Sequence, residues 1–595
     1  MGGICSRKRN RPDDDRHRQQ EDGIVMANGA VPGRGAGVVS LSRRYSRTGS
    51  CKWLPRSSSS SSVSSEPPAA TWPSLLELCV WSACEGIGRY KSLSALPRDI
   101  SQLIFNELVV SGRLCDSSLN AFRDCVLQDV HVGDYPGVKD SWMEVIASQG
   151  TSLLSVDISG SDVTDSGLAF LKDCTGLESL VLDCCQHVTE QGLQNLDGLT
   201  NLTSLSLKRS SAVTAEGLRS LSVFVNLKKL ELERCSKIHS GLANLHGLNK
   251  LESLNLRCCR CIVDMDMKAF SGLANLKELQ LSNSSITDFG VVYLRGLQKL
   301  VSLNLEGCNV TSSCLDSLSA IPSLECLNLN RCGLSDDGCD KFSGLKSLKV
   351  LSLAFNNITD ACLMHLKGLT NLEKLNLDSC KIRDEGLASL SGLPLKYLEL
   401  SDTEVGTSGL RYLSGLTRME NLNLSFTLVT NSELKRLSGL VSLKSLNLDA
   451  RQITDAGLAA LTSLTGLEHL DLFGARISDT GMNYLKYFKN LKSLEICGGG
   501  LTDAGVKNIK HLTSLTVLNL SQNCNLTDNT LELISGLTAL VTLNISNSLI
   551  TNEGLYHLKP LKNLRSLTLE SCKVTACEIK KLQSSLPKLV SFRPE

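Results

Sequence analysis

Cysteine and histidine are the residues in this chain best suited to metal or thiol chemistry, and their spacing decides whether they do any. Cysteine supplies 24 of 595 residues. Cys258, Cys259 and Cys261 form the densest group, and Cys184, Cys185 and His187 a second. A structural zinc site needs four ligands, usually two pairs separated by a loop. No second C-x-x-C or H-x-x-x-H completes either group, and the nine histidines scatter without ligand spacing. Gly33-Arg34-Gly35-Ala36-Gly37 neither follows a strand nor precedes a helix, so it is no phosphate loop. Thr-Asp pairs such as Thr359-Asp360 and Thr502-Asp503 sit where helix caps belong, not as paired catalytic carboxylates. The expectation is no enzyme, no cofactor or metal, and no small-molecule substrate.

The cysteines keep time with a longer pattern. From Leu153 to the register at Leu589, one unit returns every 24 or 25 residues. It runs L-x-x-L-x-L-x-x-[C/N/S]-x-[hydrophobic]-T-D-x-G-L-x-x-L-x-x-L-x-x, with Leu443 to Gly466 a clean copy. A weaker copy, Leu127-x-x-Val130-x-Val132, precedes them, with Val138 and Asp140 in the later slots. Cys185, Cys235, Cys259, Cys308, Cys332, Cys380 and Cys572 fall three residues after the last strand leucine. Asn356, Asn523, Ser210, Ser284, Thr403 and Thr427 fill the same slot elsewhere, so it calls for a small polar cap on turn backbone, not a disulfide. That points to reduced, intracellular cysteine.

Within one unit, Leu443, Leu446 and Leu448 alternate as a short strand with Lys444, Ser445, Asn447 and Asp449 facing out. Thr454 occupies an N-cap, Asp455 the first turn, and Leu458, Leu461 and Leu464 recur on one helix face. Gly466 is expected to end that helix in a left-handed conformation. Strands stack about 4.8 Å apart and helices about 8–10 Å, so each repeat must turn by roughly 20°. About nineteen repeats would sweep close to a full circle. The period resembles that of leucine-rich repeats, in the cysteine-containing subtype found in F-box/leucine-rich-repeat proteins. It covers roughly residues 127–595 and implies an α/β fold: a curved horseshoe with a parallel sheet on the concave face and helices on the convex face.

Two further segments precede the solenoid. Residues 1–70 read as a disordered basic tail, with twelve Arg and Lys against five Asp and Glu in the first 65, leaving about −6 on the remainder. Met1-Gly2-Gly3-Ile4-Cys5-Ser6 fits the N-myristoylation pattern at Gly2, with Cys5 placed for palmitoylation and Arg7, Lys8, Arg9 and Arg11 for anionic lipid. Arg43-Arg44-Tyr45-Ser46 resembles a basophilic kinase site. There is no secretory signal and no run of 18 apolar residues. The expectation is a cytoplasmic protein, peripheral on the plasma membrane or an internal membrane.

Residues 72–126 break the repeat and are expected to form a small helical cap. Leu96-Pro97-Arg98-Asp99-Ile100 through Ile104, Phe105 and Leu108 resembles the opening of an F-box, with Ile100, Ile104 and Leu108 as one apolar stripe. The usual C-x-x-W ending is missing, although Leu114, Leu119, Phe122 and Cys125 suit its apolar slots. Ser74 to Ala83, with Leu75, Leu78 and Cys79, instead resembles a box that binds elongin C, for which Leu96-Pro97 to Ile100 would be the cullin-recruiting element. Either resemblance implies a substrate receptor of a cullin-RING (SCF-type) ubiquitin ligase, docking on Skp or on elongin C. The alternative is a membrane-tethered signalling scaffold with no ligase link.

The concave wall is expected to bind a protein cargo, not nucleic acid. Asn328, Asn376 and Asn423 belong to a polar stripe able to donate and accept hydrogen bonds. Phe355, Phe426 and Phe473 follow the last strand leucine by one or two residues and should face outward as aromatic anchors.

Overall fold

The leucine alternation forces a strand in every repeat, and a computed structural model, which describes residues 74–210 and 213–593, has all of them in one sheet. The 20 parallel strands run from Asp129–His131 to Ser591–Arg593, each pairing with the next. The register aligns like with like, for instance Leu327, Leu351, Leu375 and Leu398. The first and last strands do not pair, so the sheet is an open curved wall. The weak copy at Leu127 is a true first repeat, with Val130, Val132 and Val138 buried. No helix among the described residues is long and apolar enough to cross a membrane.

The convex layer differs from the expected row of helices. Leu458, Leu461 and Leu464 are buried as expected, but the helix Asp455–Ala460 stops before the last two of them. Many units carry only 3-10 turns, such as Gly241–Leu245, Leu434–Gly439 and Gly481–Tyr487. Apolar residues at a spacing of three match three residues per turn, the 3-10 period. Gly466 also departs from expectation, since it is absent from the positive-φ glycines. The left-handed position lies instead two residues beyond the last strand leucine in nearly every repeat, Ala450 being an exception, where strand turns into convex segment.

The T-D-x-G motif turns out to join neighbouring repeats. The Asp140 carboxylate accepts the Thr164 backbone N–H at 2.7 Å and its hydroxyl at 2.6 Å, one repeat on. The same two-pronged bond links Asp264 to Thr287, Asp336 to Thr359, Asp479 to Thr502, Asp503 to Thr527 and Asp528 to Thr551. The threonine hydroxyl then caps its own helix, as Thr164 does for Ser166 N–H. The motif glycine leaves room for the incoming carboxylate: a Cβ added at Gly167, Gly386, Gly481 or Gly554 would overlap the aspartate of the preceding repeat. At Asp503 burial raises the carboxyl, but bonds from Thr527 and Thr530 outweigh it and the pKa is lowered.

The cysteine slot does what its substitutes imply. Cys235, Cys259, Cys308 and Cys380 donate their thiols to the last strand carbonyl of the previous repeat, at 3.2, 3.0, 3.2 and 3.2 Å. Asn356 and Asn523 reach the equivalent carbonyls with Nδ2 at 2.8 Å. Ser284 and Thr403 instead bond a carbonyl of their own repeat. All cysteines among the described residues are free. Burial pushes the Cys259 and Cys380 thiols up to about 12, so they stay neutral donors.

The segment before the solenoid is a cap sharing its core. Helix α1 (Leu75–Glu85) opens on a capping box of Ser74 and Glu77. Helix α2 (Arg98–Val110) follows Pro97, and α3 (Asp116–Asn120) leads into the first strand. Phe105 and Phe122 meet edge to face at 5.4 Å. Gln102 on α2 stands in for a missing strand: its Oε1 accepts the N–H groups of Gln128 and Asp129, and its Nε2 donates to the Asp129 carbonyl at 2.7 Å. That closes the sheet edge where another chain would otherwise pair.

Gly554→Ala should lower the full chain's denaturation midpoint, costing roughly 1–3 kcal/mol, because the Asp528 carboxylate must leave the Thr551 donors. Gly536→Ala, with nothing within 4 Å of an added Cβ, should change stability by less than about 0.5 kcal/mol. Equal effects of the two in urea titrations would refute the joint.

Candidate partner-binding face

Along the strand-entry rim, charges alternate from repeat to repeat and cancel. Glu252 pairs with Lys277, Glu325 with Lys349, Glu373 with Lys396, Glu420 with Lys444 and Glu468 with Lys492, at 2.8–2.9 Å. Exposed pairs like these stabilise little, about 0–1 kcal/mol each, but they leave that rim without a net field.

The asparagine stripe is structural. Asn328 and Asn376 are buried, and Asn423 is half-buried. Each side-chain oxygen accepts the N–H two residues on: Asn330 at 2.9 Å, Asp378 at 3.0 Å and Ser425 at 2.9 Å. The expectation that Asn328 and Asn376 meet a partner is therefore corrected. Short amides here satisfy backbone groups that the end of the strand leaves open.

The phenylalanines fare differently. Phe355 and Phe426 occupy the left-handed position at φ 58° and 55°, with rings 40% and 48% exposed. Their N–H groups reach across to the Asp378 and Asp449 carbonyls, at 2.8 and 3.0 Å. A bulky residue in this conformation costs about 1–2 kcal/mol. Gly160, Gly307, Gly474 and Gly498 hold the same slot elsewhere without that cost. The Arg331 guanidinium lies 3.9 Å from the centre of the Phe355 ring. Phe473 is half-buried one residue earlier in its repeat, its N–H donated to Asp471 at 2.9 Å.

Charge divides the wall into two stretches. Between Asp183 and Arg257 acids and bases interleave, with Lys208 3.8 Å from Asp183 and 3.6 Å from Glu231, and Arg257 3.7 Å from Glu233. Between Lys374 and Glu495 the wall positions carry Asp378, Glu399, Asp402, Asp449, Asp471 and Glu495, with Lys374 the lone Lys or Arg. Glu399 is pushed up to about 7, chiefly by burial and further by Asp378, against bonds from Asn423 and Ser401.

The adaptor residues separate into two sets. Ile104, Phe105 and Leu108 are buried in the cap core and Ile100 packs half-buried against it, which corrects their placement as adaptor contacts. An apolar stripe beside an open solenoid end is covered by that end first. Leu75, Leu78, Cys79, Leu96 and Pro97 remain exposed, joined by Leu76 and Trp81. Gly2 and Cys5 lie outside the described residues.

Two features escaped the sequence. Cys115 is exposed, 3.1 Å from Ser117 Oγ and 3.4 Å from Ser118 Oγ, and those bonds lower its thiol to about 7. His239 Nδ1 lies 3.0 Å from Asp266 Oδ2, but Asp266 is buried and also takes the Ser240 and Val263 N–H groups, so it works as a backbone cap. No group of three or more His, Cys, Asp or Glu able to hold a metal occurs among the described residues.

Models of leucine-rich repeats match residues 249–310, 322–382 and 489–550, and a second such model matches 151–172 and 464–485. The strand register carries the same unit from end to end, so the fold is a leucine-rich-repeat solenoid. No curated protein matches the chain. Among similar solved structures is the TLR13–ssRNA13 complex, at 22% identity over 79% of this chain and 70% of that one, TM-score 0.48. The plant peptide hormone receptor RGFR1 in complex with RGF2 gives 16%, 80%, 75% and 0.40 in the same order. A leucine-rich-repeat protein of Leptospira interrogans gives 21%, 71%, 91% and 0.39.

Glu399 generates a pH prediction. Its pKa in the folded chain lies above the ordinary 4.5, so the native state holds the proton more tightly than the unfolded one. Stability should therefore fall as pH rises from about 4.5 to about 7 and level off above. Glu399→Gln should raise Tm at pH 8 and leave it nearly unchanged at pH 4. A Tm difference that is the same at both pH values would contradict this.

Proposed function

We propose that the protein is a recognition solenoid that holds a protein partner on its concave wall near Phe355, Phe426 and Phe473. The pair of exposed phenylalanines kept at positive φ, where glycine serves four other repeats and polar residues or cysteine most of the rest, carries this reading. Residues 74–126 then link the partner to a cullin-RING ubiquitin ligase through the outward side of α1, where Leu75, Leu78 and Cys79 stand exposed in an elongin-box-like segment. The F-box form of the link has less support, because Ile104, Phe105 and Leu108 are spent on the core. A second reading, a scaffold tethered to a membrane, is favoured by the acylation pattern at Gly2 and Cys5.

Affinity capture of the full chain, searched for elongin C, Skp and cullin, tests the ligase link. Leu78→Asp should abolish adaptor capture while leaving Tm unchanged, since Leu78 is 46% exposed. Recovery of none of the three by the unmutated protein would leave the tethered scaffold. Gly2→Ala should then release that scaffold from the membrane fraction.

A further inference from the structure

The convex side breaks its own pattern at one place. The x position of the T-D-x-G motif holds Met265 and Phe289 in two successive repeats, and elsewhere Ser, Ala, Thr, Asn, Gln, Cys or an acid. Those two side chains are 72% and 79% exposed, and Val292, three residues past Phe289, is exposed with them. One row over, successive repeats carry Lys268, Val292 and Asp316, each 24 residues from the next. Positive charge, an apolar centre and negative charge thus follow one another across three repeats. The nearby Asp264 and Asp288 carboxylates are already bonded to Thr287 and Thr311. Lys268 is exposed and in no ion pair among the described residues, and the exposed Asp316 pairs there only with Lys341, at 4.0 Å.

From this we infer that a second copy of the chain covers the patch, convex face on convex face, about a twofold axis. An axis lying along the convex segment of the middle repeat sets each residue of the repeat before it against its counterpart in the repeat after it. Lys268 of either copy then meets Asp316 of the other, while Phe289 and Val292 meet their own equivalents at the centre. The order positive, apolar, negative is what this symmetry requires, because a patch of one sign would repel its copy. Convex segments lie about 8–10 Å apart, so the three repeats span roughly 20 Å. Two outwardly curved surfaces touch only over such a short stretch, and the contact belongs to the small, weak class, below about 1,200 Å². The inference does not rest on the recognition role proposed above. Both concave walls stay open in the pair, which would present two recognition faces.

Sedimentation velocity of the full-length protein, from about 1 to about 100 μM, tests the inference. The chain should be largely dimeric at the top of that range and monomeric at the bottom, and added salt should favour the monomer. Phe289→Ser should weaken association at least about tenfold and leave Tm unchanged, since the ring is exposed. Lys268→Glu and Asp316→Lys should each weaken it as much by setting like charges opposite one another, yet an equal mixture of the two variants should associate as the parent does. In the mixed pair the altered position 268 of one chain faces the altered position 316 of the other, so both contacts again join opposite charges. A merely adhesive patch would show no such rescue. Met364→Ser, exposed on the same face three repeats further on, should change nothing. Monomer throughout the range, dimers indifferent to Phe289→Ser, or no rescue in the mixture would overturn the inference. If the chain stays monomeric and Phe289→Ser instead strips away a protein captured from cells, the patch belongs to that protein and the twofold contact is wrong.

Discussion

Everything displayed on this molecule depends on the bond by which one repeat's aspartate holds the next repeat's threonine. Leucine burial supplies the bulk of the stabilisation, but it is non-directional and tolerates slippage between layers. The carboxylate gripping both the N–H and the hydroxyl of Thr359 or Thr551 fixes one distance wherever the pair occurs, and at other steps Asn431, Ser312 or Thr407 accepts the next repeat's N–H instead. With the sheet fixing the other edge through backbone pairing, each repeat has one permitted rotation against its neighbour. The motif glycine is the clearance this joint requires, since the carboxylate lies where a Cβ would otherwise be.

That regularity turns a one-dimensional sequence into rows. Positions a repeat apart become neighbours, so a choice made in every second unit becomes a line of ion pairs, and six carboxylates over six units become an acidic wall. It also lets a few departures stand out. The thiols and asparagines that cap the previous repeat's carbonyl serve the same joint from the other side of the turn. They leave the left-handed residue beside them free to vary, and the chain varies it among glycine, asparagine, aspartate, serine, glutamine, cysteine, arginine and phenylalanine. At Phe355 and Phe426 the chain keeps a conformation that glycine would relieve, which is the observation behind the binding role proposed for them.

The legible part of the sequence was whatever repeats with a period. The strand leucines, the extra first unit at Leu127 and the interchangeability of Cys308 with Asn356 all followed from spacing. The convex layer was mistaken in detail because a spacing of three suits both an α-helix and a 3-10 turn until packing decides. The role of Gly554 and its equivalents was invisible, since it depends on a carboxylate from a repeat earlier. The asparagines of the wall looked available because outward-facing positions in a strand normally are. At the strand's end, though, the chain bends, and Asn328 is drawn in to cap the bend. Ile104 and Leu108 show the same limit: a helical stripe reveals that something is covered but not which surface covers it. The left-handed row did leave a trace, since Gly160, Gly307, Gly474 and Gly498 recur in the slot that Phe355 and Phe426 fill.

Amide hydrogen exchange across the solenoid tests the joint most directly. Thr311 and Thr527 lie on the outer edge of the wall, where loop amides normally exchange freely, yet their N–H groups are bonded to Asp288 and Asp503 at 2.8 and 3.1 Å. The account predicts that peptides containing these threonines are protected nearly as well as the strands, and that Asp503→Ala removes protection at Thr527 and from the repeats on either side. Rapid exchange at those threonines in the unmutated protein, with the strands still protected, would contradict it.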